Sequence, residues 1–417
     1  MFQVLSASWS LLLGMMLLQV GNGLQGTLLG VRGGLEGFST WEMSIVMSAY
    51  FVGFLGGSRM APGMIRRVGH VRVFAALASF ISAVLVLYAT WANPWVWAFL
   101  RVVIGFCFSG VYVTAESWLN NAATNDTRGK SLSLYMIVQM VGIIAAQGLL
   151  LVADPAGFIL FVIPSVLVSI SFAPILLSIS PTPAFETSRP MSLRELYHVS
   201  PLGVVGMFLL GSVFSAQFGM GAVYGAEAGL SLAQISLFVA SFYVGATVMQ
   251  YPLGWFSDRM DRRVLIFAVA LLGGIGAALA MVGGGVFALL LAAAFVIGGA
   301  SNPLYSLLIA YTNDFVDTEN MAAVSGGLVF VNGLGAIAGP VITGWCMGIF
   351  GPPGYFLFLG LLLLATAGYA AWRMTQRASP GVDETGGFTP VTMSTSPLGV
   401  ELAFEEDAEE HENAAES

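Results

Sequence analysis

Charge is scarce in this chain: only 9% of its 417 residues are Asp, Glu, Lys or Arg, against 57% that are hydrophobic. Soluble domains carry about 25% charged residues and 45–50% apolar ones, so this composition suits a bilayer rather than water. Metal and disulfide chemistry also lack material. The two cysteines, Cys107 and Cys346, each sit in an apolar run, and the three histidines, His70, His198 and His411, are scattered; buried spare thiols follow, not a disulfide or a metal site. No G-x-x-x-x-G-K-[ST] loop exists to cradle a nucleotide phosphate, which argues against an ATP-driven pump. A membrane-embedded enzyme would need clustered His, Asp or Glu or a nucleophile–base pair, and the chain has neither. No catalytic residue, cofactor or nucleic-acid partner is expected.

Basic residues are missing beyond Arg377. Ten of the 23 acids lie in that stretch, and without them 15 bases face 13 acids, so the formal charge of −8 belongs to the tail. Residues 377–417, rich in Pro, Ser, Thr, Gly and acids, cannot bury enough apolar area to offset the entropy of ordering. They are expected to form a disordered, acidic cytoplasmic tail.

What remains is long apolar runs. A helix needs roughly 20 apolar residues to cross the hydrocarbon core, and turn signals divide the chain into twelve such runs, near 8–31, 42–61, 71–92, 95–119, 130–152, 157–179, 201–226, 233–255, 264–283, 286–312, 320–347 and 353–374. The first is longer than a signal-peptide core and lacks a basic leader, so it is expected to be retained. With the N-terminus inside, thirteen bases (Arg59, Arg66, Arg67, Arg72, Arg128, Lys130, Arg189, Arg194, Arg259, Arg262, Arg263, Arg373, Arg377) fall on the cytoplasmic side and only Arg32 outside. The expectation is a multi-pass protein of the inner membrane with both termini cytoplasmic.

The chain repeats itself. At an offset of 192, Gly14, Gln25, Gly37, Ser39, Ser44 and Gly53 pair with Gly206, Gln217, Gly229, Ser231, Ser236 and Gly245; at 193, Gly105, Tyr112, Asn120, Asp126 and Gly142 pair with Gly298, Tyr305, Asn313, Glu319 and Gly335. Arg66-Arg67 matches Arg262-Arg263 at 196. The organisation expected is an all-α membrane protein of twelve transmembrane helices: a six-helix bundle over 1–180, a cytoplasmic linker over 181–200, a pseudo-symmetric six-helix bundle over 201–376, and the tail. Parallel repeats of this kind are a transporter architecture, with the solute site at mid-membrane between the halves and access alternating as they rock.

The charged stretch "GWFSDRMDRR" carries a family likeness. Gly254, Asp258, Arg259, Arg262 and Arg263 resemble the loop signature G-x-x-x-D-R-x-G-R-R of the major facilitator superfamily, with Asp261 where glycine is usual. Arg101 and Gly105 resemble its R-x-x-x-G signature, and "GLGAIAGPVITG", with Gly335, Gly339, Pro340 and Gly344, resembles its Gly-Pro motif; the antiporter version of that motif belongs in span 5, which here has no proline. The stretch "GVYVTAESWLNN" is similar to a YcaD-like branch of the family. The likeness covers about residues 8–375 and implies secondary transport by a twelve-helix fold, with the position of Arg101 implicated in proton coupling; holding spans 1 and 4 together is the alternative role.

Charge patterning suggests gating. The first-half loop keeps Arg66 and Arg67 but has Ala61-Pro62 in place of the acid. Asp314, Asp317 and Glu319, before span 11, could face Arg66 and Arg67; Arg128 and Lys130, before span 5, could face Asp258 and Asp261, with the helix dipole adding to Asp258. Together with Arg259, Arg262 and Arg263 these would form a cytoplasmic latch of weak ion pairs, unless the bases serve only to set topology. Glu116, at the inner edge of span 4, is placed for Arg66, Arg67 or Arg128 as a gate, or for proton carriage.

Arg101 is the one base within a span, and a partner is required because an unpaired intramembrane cation costs about 2.5 kcal/mol or more. Span 1 amides such as Gln19 or Asn22, or backbone carbonyls, are the expected partners. The solute-site candidates are Gln19, Asn22, Gln25, Arg101, Tyr112, Gln139, Gln217, Tyr224, Tyr243, Asn302, Tyr305 and Asn332, with Gln147 and Gln250 as readily helix bridges. Amides and phenols without fixed charge suit a neutral or zwitterionic solute, planar rings included. The expected partners are the lipid bilayer, a small solute and protons, with the chain acting as a monomer. Drug or metabolite export, nutrient or vitamin import, and a receptor or assembly factor without turnover all stay open.

Overall fold

In a bilayer every backbone N–H and C=O must be paired within its own segment or its neighbours, and helices do this at the lowest cost in side-chain specificity. A computed structural model describes residues 2–122, 128–177, 191–283, 285–316, 318–376 and 386–392, with positions 395, 399–400 and 403. Among the described residues there are fourteen helices and no strands. In order they are α1 (Phe2–Leu35), α2 (Thr40–Val68), α3 (His70–Thr90), α4 (Pro94–Ala122), α5 (Arg128–Leu149), α6 (Ile159–Ser171), α7 (Ala173–Leu177), α8 (Leu193–Val199), α9 (Pro201–Glu227), α10 (Leu232–Ser257), α11 (Arg262–Gly283), α12 (Phe287–Asn313), α13 (Thr318–Phe350) and α14 (Gly354–Met374).

Eleven of the expected spans are long and apolar enough to cross a membrane. The expected second span is the 29-residue α2, less apolar because it carries Ser44, Ser48, Ser58, Arg59 and several glycines. The expected sixth is α6 followed by the five-residue α7. The interruption has a local cause: Pro174 lacks an N–H and its ring presses on the carbonyl four residues back, at Ile170. Large side chains such as Phe80, Phe99, Phe158, Leu237 and Leu279 are exposed, as lipid contact allows.

Close packing divides the chain into two units that do not follow sequence order. The first comprises Met1–Thr187, Gln217–Ala240 and Pro340–Pro352. In it α2 lies backbone to backbone on α4: Gly53 rests on the Val102 carbonyl, Gly57 on that of Phe106, and Gly105 on that of Tyr50. Any side chain at these positions would enter the partner's backbone. Parts of α9, α10 and α13 join this unit because Gly30 abuts Ala222, Gly219 abuts Met47 and Gly344 abuts Ser44, while the Ser236 hydroxyl donates to the Gln147 carbonyl at 2.6 Å.

The second unit comprises Ser188–Ala216, Ser241–Gly339 and Pro353–Ser417. Its α10 and α12 meet through Gly245 on the Phe295 carbonyl and Gly298 on the Phe242 carbonyl, and its α9 and α13 through Gly211 on Asn332 and Gly335 on Phe208. Gly53 and Gly105 thus have the same job as their repeat counterparts Gly245 and Gly298.

The turns repeat as well. Gly37 and Gly229 both have positive φ, 76° and 72°, a conformation glycine adopts without steric cost. Two residues later Ser39 caps α2 in a reciprocal box with Glu42, and Ser231 caps α10 with Gln234, whose N–H donates to the serine hydroxyl at 3.3 Å while its side chain accepts from Ser231 N–H at 2.9 Å.

Candidate functional site

One stripe of α1 presents Gln19, Asn22 and Gln25, spaced by three so that successive side chains fall on one face. From α4 come Arg101 and Tyr112, eleven residues or about three turns apart, and from α5 comes Gln139. The side chains join end to end. Arg101 Nη1 donates to Gln25 Oε1 at 3.1 Å, Gln25 Nε2 to Asn22 Oδ1 at 3.2 Å, and Asn22 Nδ2 to the Tyr112 hydroxyl at 3.0 Å. That hydroxyl donates to Gln19 Oε1 at 2.8 Å, and Gln19 Nε2 to Gln139 Oε1 at 2.6 Å. Every member donates in the same sense, away from the cation, so each bond polarises the next.

Arg101 is 4% exposed. Its expected partner was a span 1 amide such as Gln19 or Asn22; the amide it meets is Gln25, which passes the connection on to Asn22. The guanidinium also lies 4.8 Å from the centre of the Tyr50 ring and donates to Met47 Sδ at 3.3 Å. Among the described residues no carboxylate pairs with it, and its Nε has no hydrogen-bond partner. A π face, an amide and a thioether offset part of the cost of burying the charge and leave donor capacity for another acceptor. Met47 and Tyr50 were missed in the sequence. Their i, i+3 spacing on α2, just before Gly53, was the available signal.

The other solute-site candidates fall into different surroundings. Gln217 is fully buried in the first unit, and Tyr224, also there, has its ring centre 5.5 Å from that of Phe238 with the planes tilted by 48°. In the second unit Tyr305 and Asn302 are buried and Tyr243 is half-buried. Asn332 Nδ2 donates to the Met207 carbonyl at 3.1 Å, a bridge from α13 to α9. Gln147 ties α5 to α1 through the Thr27 hydroxyl at 3.0 Å, and Gln250 ties α10 to α12 through Ser306 at 3.1 Å.

Several gating candidates have partners within their own unit. Asp314, expected opposite Arg66 and Arg67, caps α12 and pairs with Arg262 at the start of α11; Arg262 also donates to Ser257 Oγ at 3.1 Å and the Ala310 carbonyl at 3.3 Å. Asp261, expected opposite Arg128 and Lys130, pairs with Arg263 at 2.8 Å and accepts its backbone N–H at 2.9 Å. Asp258 accepts from the Phe388 N–H at 2.8 Å, and Arg259 lies 4.3 Å from the Trp255 ring. Arg66 and Arg67 are exposed. Glu116, expected near those bases, is 1% exposed and accepts from the Tyr135 hydroxyl at 3.3 Å. Asp317 and the side chains of Arg128, Lys130 and Glu319 lie outside the described residues.

Comparisons with known proteins agree with the geometry. Residues 202–400 match the model of the Major Facilitator Superfamily, and residues 11–183 that of the Sugar (and other) transporter family. The uncharacterized MFS-type transporter YcaD of Escherichia coli O45:K1 is 28% identical over 375 residues, covering 86% of this chain and 95% of that protein. An uncharacterized MFS-type transporter of Enterobacter sp. (strain 638) is 28% identical over 346 residues, covering 81% and 88%. Among solved structures, a mutant of the nucleoside transporter NupG superposes with a TM-score of 0.74 at 14% identity, covering 88% of this chain and 99% of that one. A variant of the E. coli fucose:proton symporter FucP gives 0.56 at 14% identity, covering 87% and 97%. Along both parts of its sequence and in its fold the chain is thus similar to membrane transporters of the major facilitator superfamily.

Proposed function

We propose that the chain is a secondary transporter of a small neutral or zwitterionic organic solute, with uncharged nucleosides as the class to test first. Transport is by alternating access across the inner membrane, with both termini cytoplasmic, protons as the coupling ion and the monomer as the working unit. The observation that carries this reading is the directional chain from Arg101 through Gln25, Asn22, Tyr112 and Gln19 to Gln139. Asn22 is its only half-buried member and gives a solute access to donors and acceptors that are already oriented, as edge-on recognition of a nucleobase or sugar hydroxyls needs. One cation with spare donors suits a carbonyl oxygen, whereas a strongly anionic solute would call for more bases. NupG, which shares the fold, is named as a nucleoside transporter.

Glu116 is the proton acceptor in this scheme. It is a carboxylate buried on α4 that accepts from the Tyr135 hydroxyl of α5, and a desolvated carboxylate is the kind of group whose proton affinity changes with its surroundings. The test is counterflow and pH-driven accumulation of tritiated uridine and adenosine in proteoliposomes. Arg101→Ala should lower the initial counterflow rate about 100-fold, the equivalent of two of the roughly 1.4 kcal/mol steps that each make a factor of ten. Glu116→Gln should keep counterflow and lose accumulation. Absence of saturable exchange with every nucleoside would remove that class, and accumulation by Glu116→Gln would remove the proton role.

A further inference from the structure

Part of the acidic tail is seated on the protein. Residues 386–392, "GGFTPVT", belong to the second unit and touch α10, α11 and α12. The Gly386 carbonyl accepts from Arg262. Phe388 N–H donates to Asp258 Oδ1 at 2.8 Å, and its ring lies on Gly254 so closely that a Cβ there would come within 2.6 Å of it. Three residues on, Val391 is 1% exposed and bonds Ser306 in both directions, its N–H donating to Ser306 Oγ at 3.0 Å and its carbonyl accepting at 3.1 Å. Gln250 Nε2 donates to the same hydroxyl at 3.1 Å, so the one donor and both acceptor sites of Ser306 are in use. The expectation of a wholly solvated tail left this stretch out: unlike its acidic surroundings it has an aromatic ring, a valine and no charge.

We infer that residues 386–392 are a built-in ligand of the α10–α12 face, holding Gly254, Asp258 and Arg262 in a resting state and leaving when the transporter turns over. Backbone groups of the tail satisfy both an acid and a base of the charged loop, so Asp258 and Arg262 cannot exchange partners while the segment is seated. Gly254 has a packing role here, because only a residue without a side chain leaves room for the Phe388 ring. An uncharged segment also suits a face whose charges are already matched within the unit by Arg262 with Asp314 and Arg263 with Asp261. That seating restrains transport rests on the function proposed above; that it seals the face does not.

The test starts from a Cys107→Ser/Cys346→Ser background carrying Gln250→Cys, labelled by a water-soluble maleimide in detergent. Deleting 377–417 should raise the labelling rate about tenfold, and Phe388→Asp in the full chain should do the same, as expected when a closed form that excludes reagent gives way to an open one. An unchanged rate in both would overturn the seal. Uridine counterflow should then rise about fivefold on deletion without the labelling cysteine; equal rates would overturn the restraint. No counterflow with or without the tail would count against the nucleoside reading, and the seal would stand or fall on labelling alone. Size-exclusion profiles matching the full chain show that each variant is folded.

Discussion

The two sequence repeats keep the same skeleton and have parted in chemistry. Gly53 and Gly105 bring α2 onto α4 as Gly245 and Gly298 bring α10 onto α12, each glycine against a partner carbonyl. The polar face was not kept. Moving by the repeat offsets of 192 and 193, Gln19, Asn22 and Arg101 fall on Gly211, Phe214 and Ala294, and only Gln25, Tyr112 and Gln139 find polar counterparts, in Gln217, Tyr305 and Asn332. Of these Asn332 bridges to a backbone carbonyl. The charged loop has diverged in the opposite sense: Arg262 is buried against Asp314, whereas its counterpart Arg66 is exposed and the positions matching Asp258 and Asp314 are Pro62 and Asn121. Backbone approach tolerates no substitution, so it persists; side-chain chemistry is free to specialise, and here the first repeat carries the chain of amides from Arg101 and the second the buried Arg262–Asp314 pair.

The strongest way to break the comparison is at the shared glycines. Gly53→Leu and Gly298→Leu should each cost more than about 3 kcal/mol, since the new atoms meet backbone rather than a movable side chain, and neither should give a monodisperse peak in detergent. Gly148→Ala, with open space around it, should elute normally. A well-behaved Gly298→Leu would mean that the two repeats do not share their packing.

A smaller effect separates the loops. Asp314→Asn leaves Arg262 buried without its counter-charge and should lower stability by about 3–5 kcal/mol, while Arg66→Ala, on an exposed side chain, should stay within about 0.5 kcal/mol. Thermal unfolding in detergent reads both, and equal losses would contradict the asymmetry.

Smallest is the phenol pair. Tyr112→Phe removes a hydroxyl that both accepts and donates in the chain from Arg101, and should raise KM for uridine counterflow about tenfold, the size of one net hydrogen bond. Tyr305→Phe, in the repeat without the cation, should change it less than about twofold. Similar values for the two would place the solute-binding role in both repeats.

Much of the local structure was legible beforehand. The apolar runs that became the long helices depend on residues a few positions apart, so spacing alone reveals them; Gly37 with Gly229 and Ser39 with Ser231 were read only as repeat pairs, and the structure showed them to be turns and caps. The stripe Gln19, Asn22, Gln25 was legible for the same reason. Which of the three would meet Arg101 was not, because that depends on how far α1 and α4 slide past each other.

The chain's composition and repeat determined a helical membrane protein with two copies of one glycine-packed design, since hydrogen bonding inside a helix and exclusion of charge from lipid need no knowledge of distant residues. Only the tertiary structure decided that Arg101 meets Gln25 across 76 positions, Arg262 meets Asp314 across 52, and Asp258 holds the tail at Phe388 across 130. Each charge had several possible partners in the sequence, and the choice among them was made by which backbones pack closely enough to bring two side chains within about 3 Å.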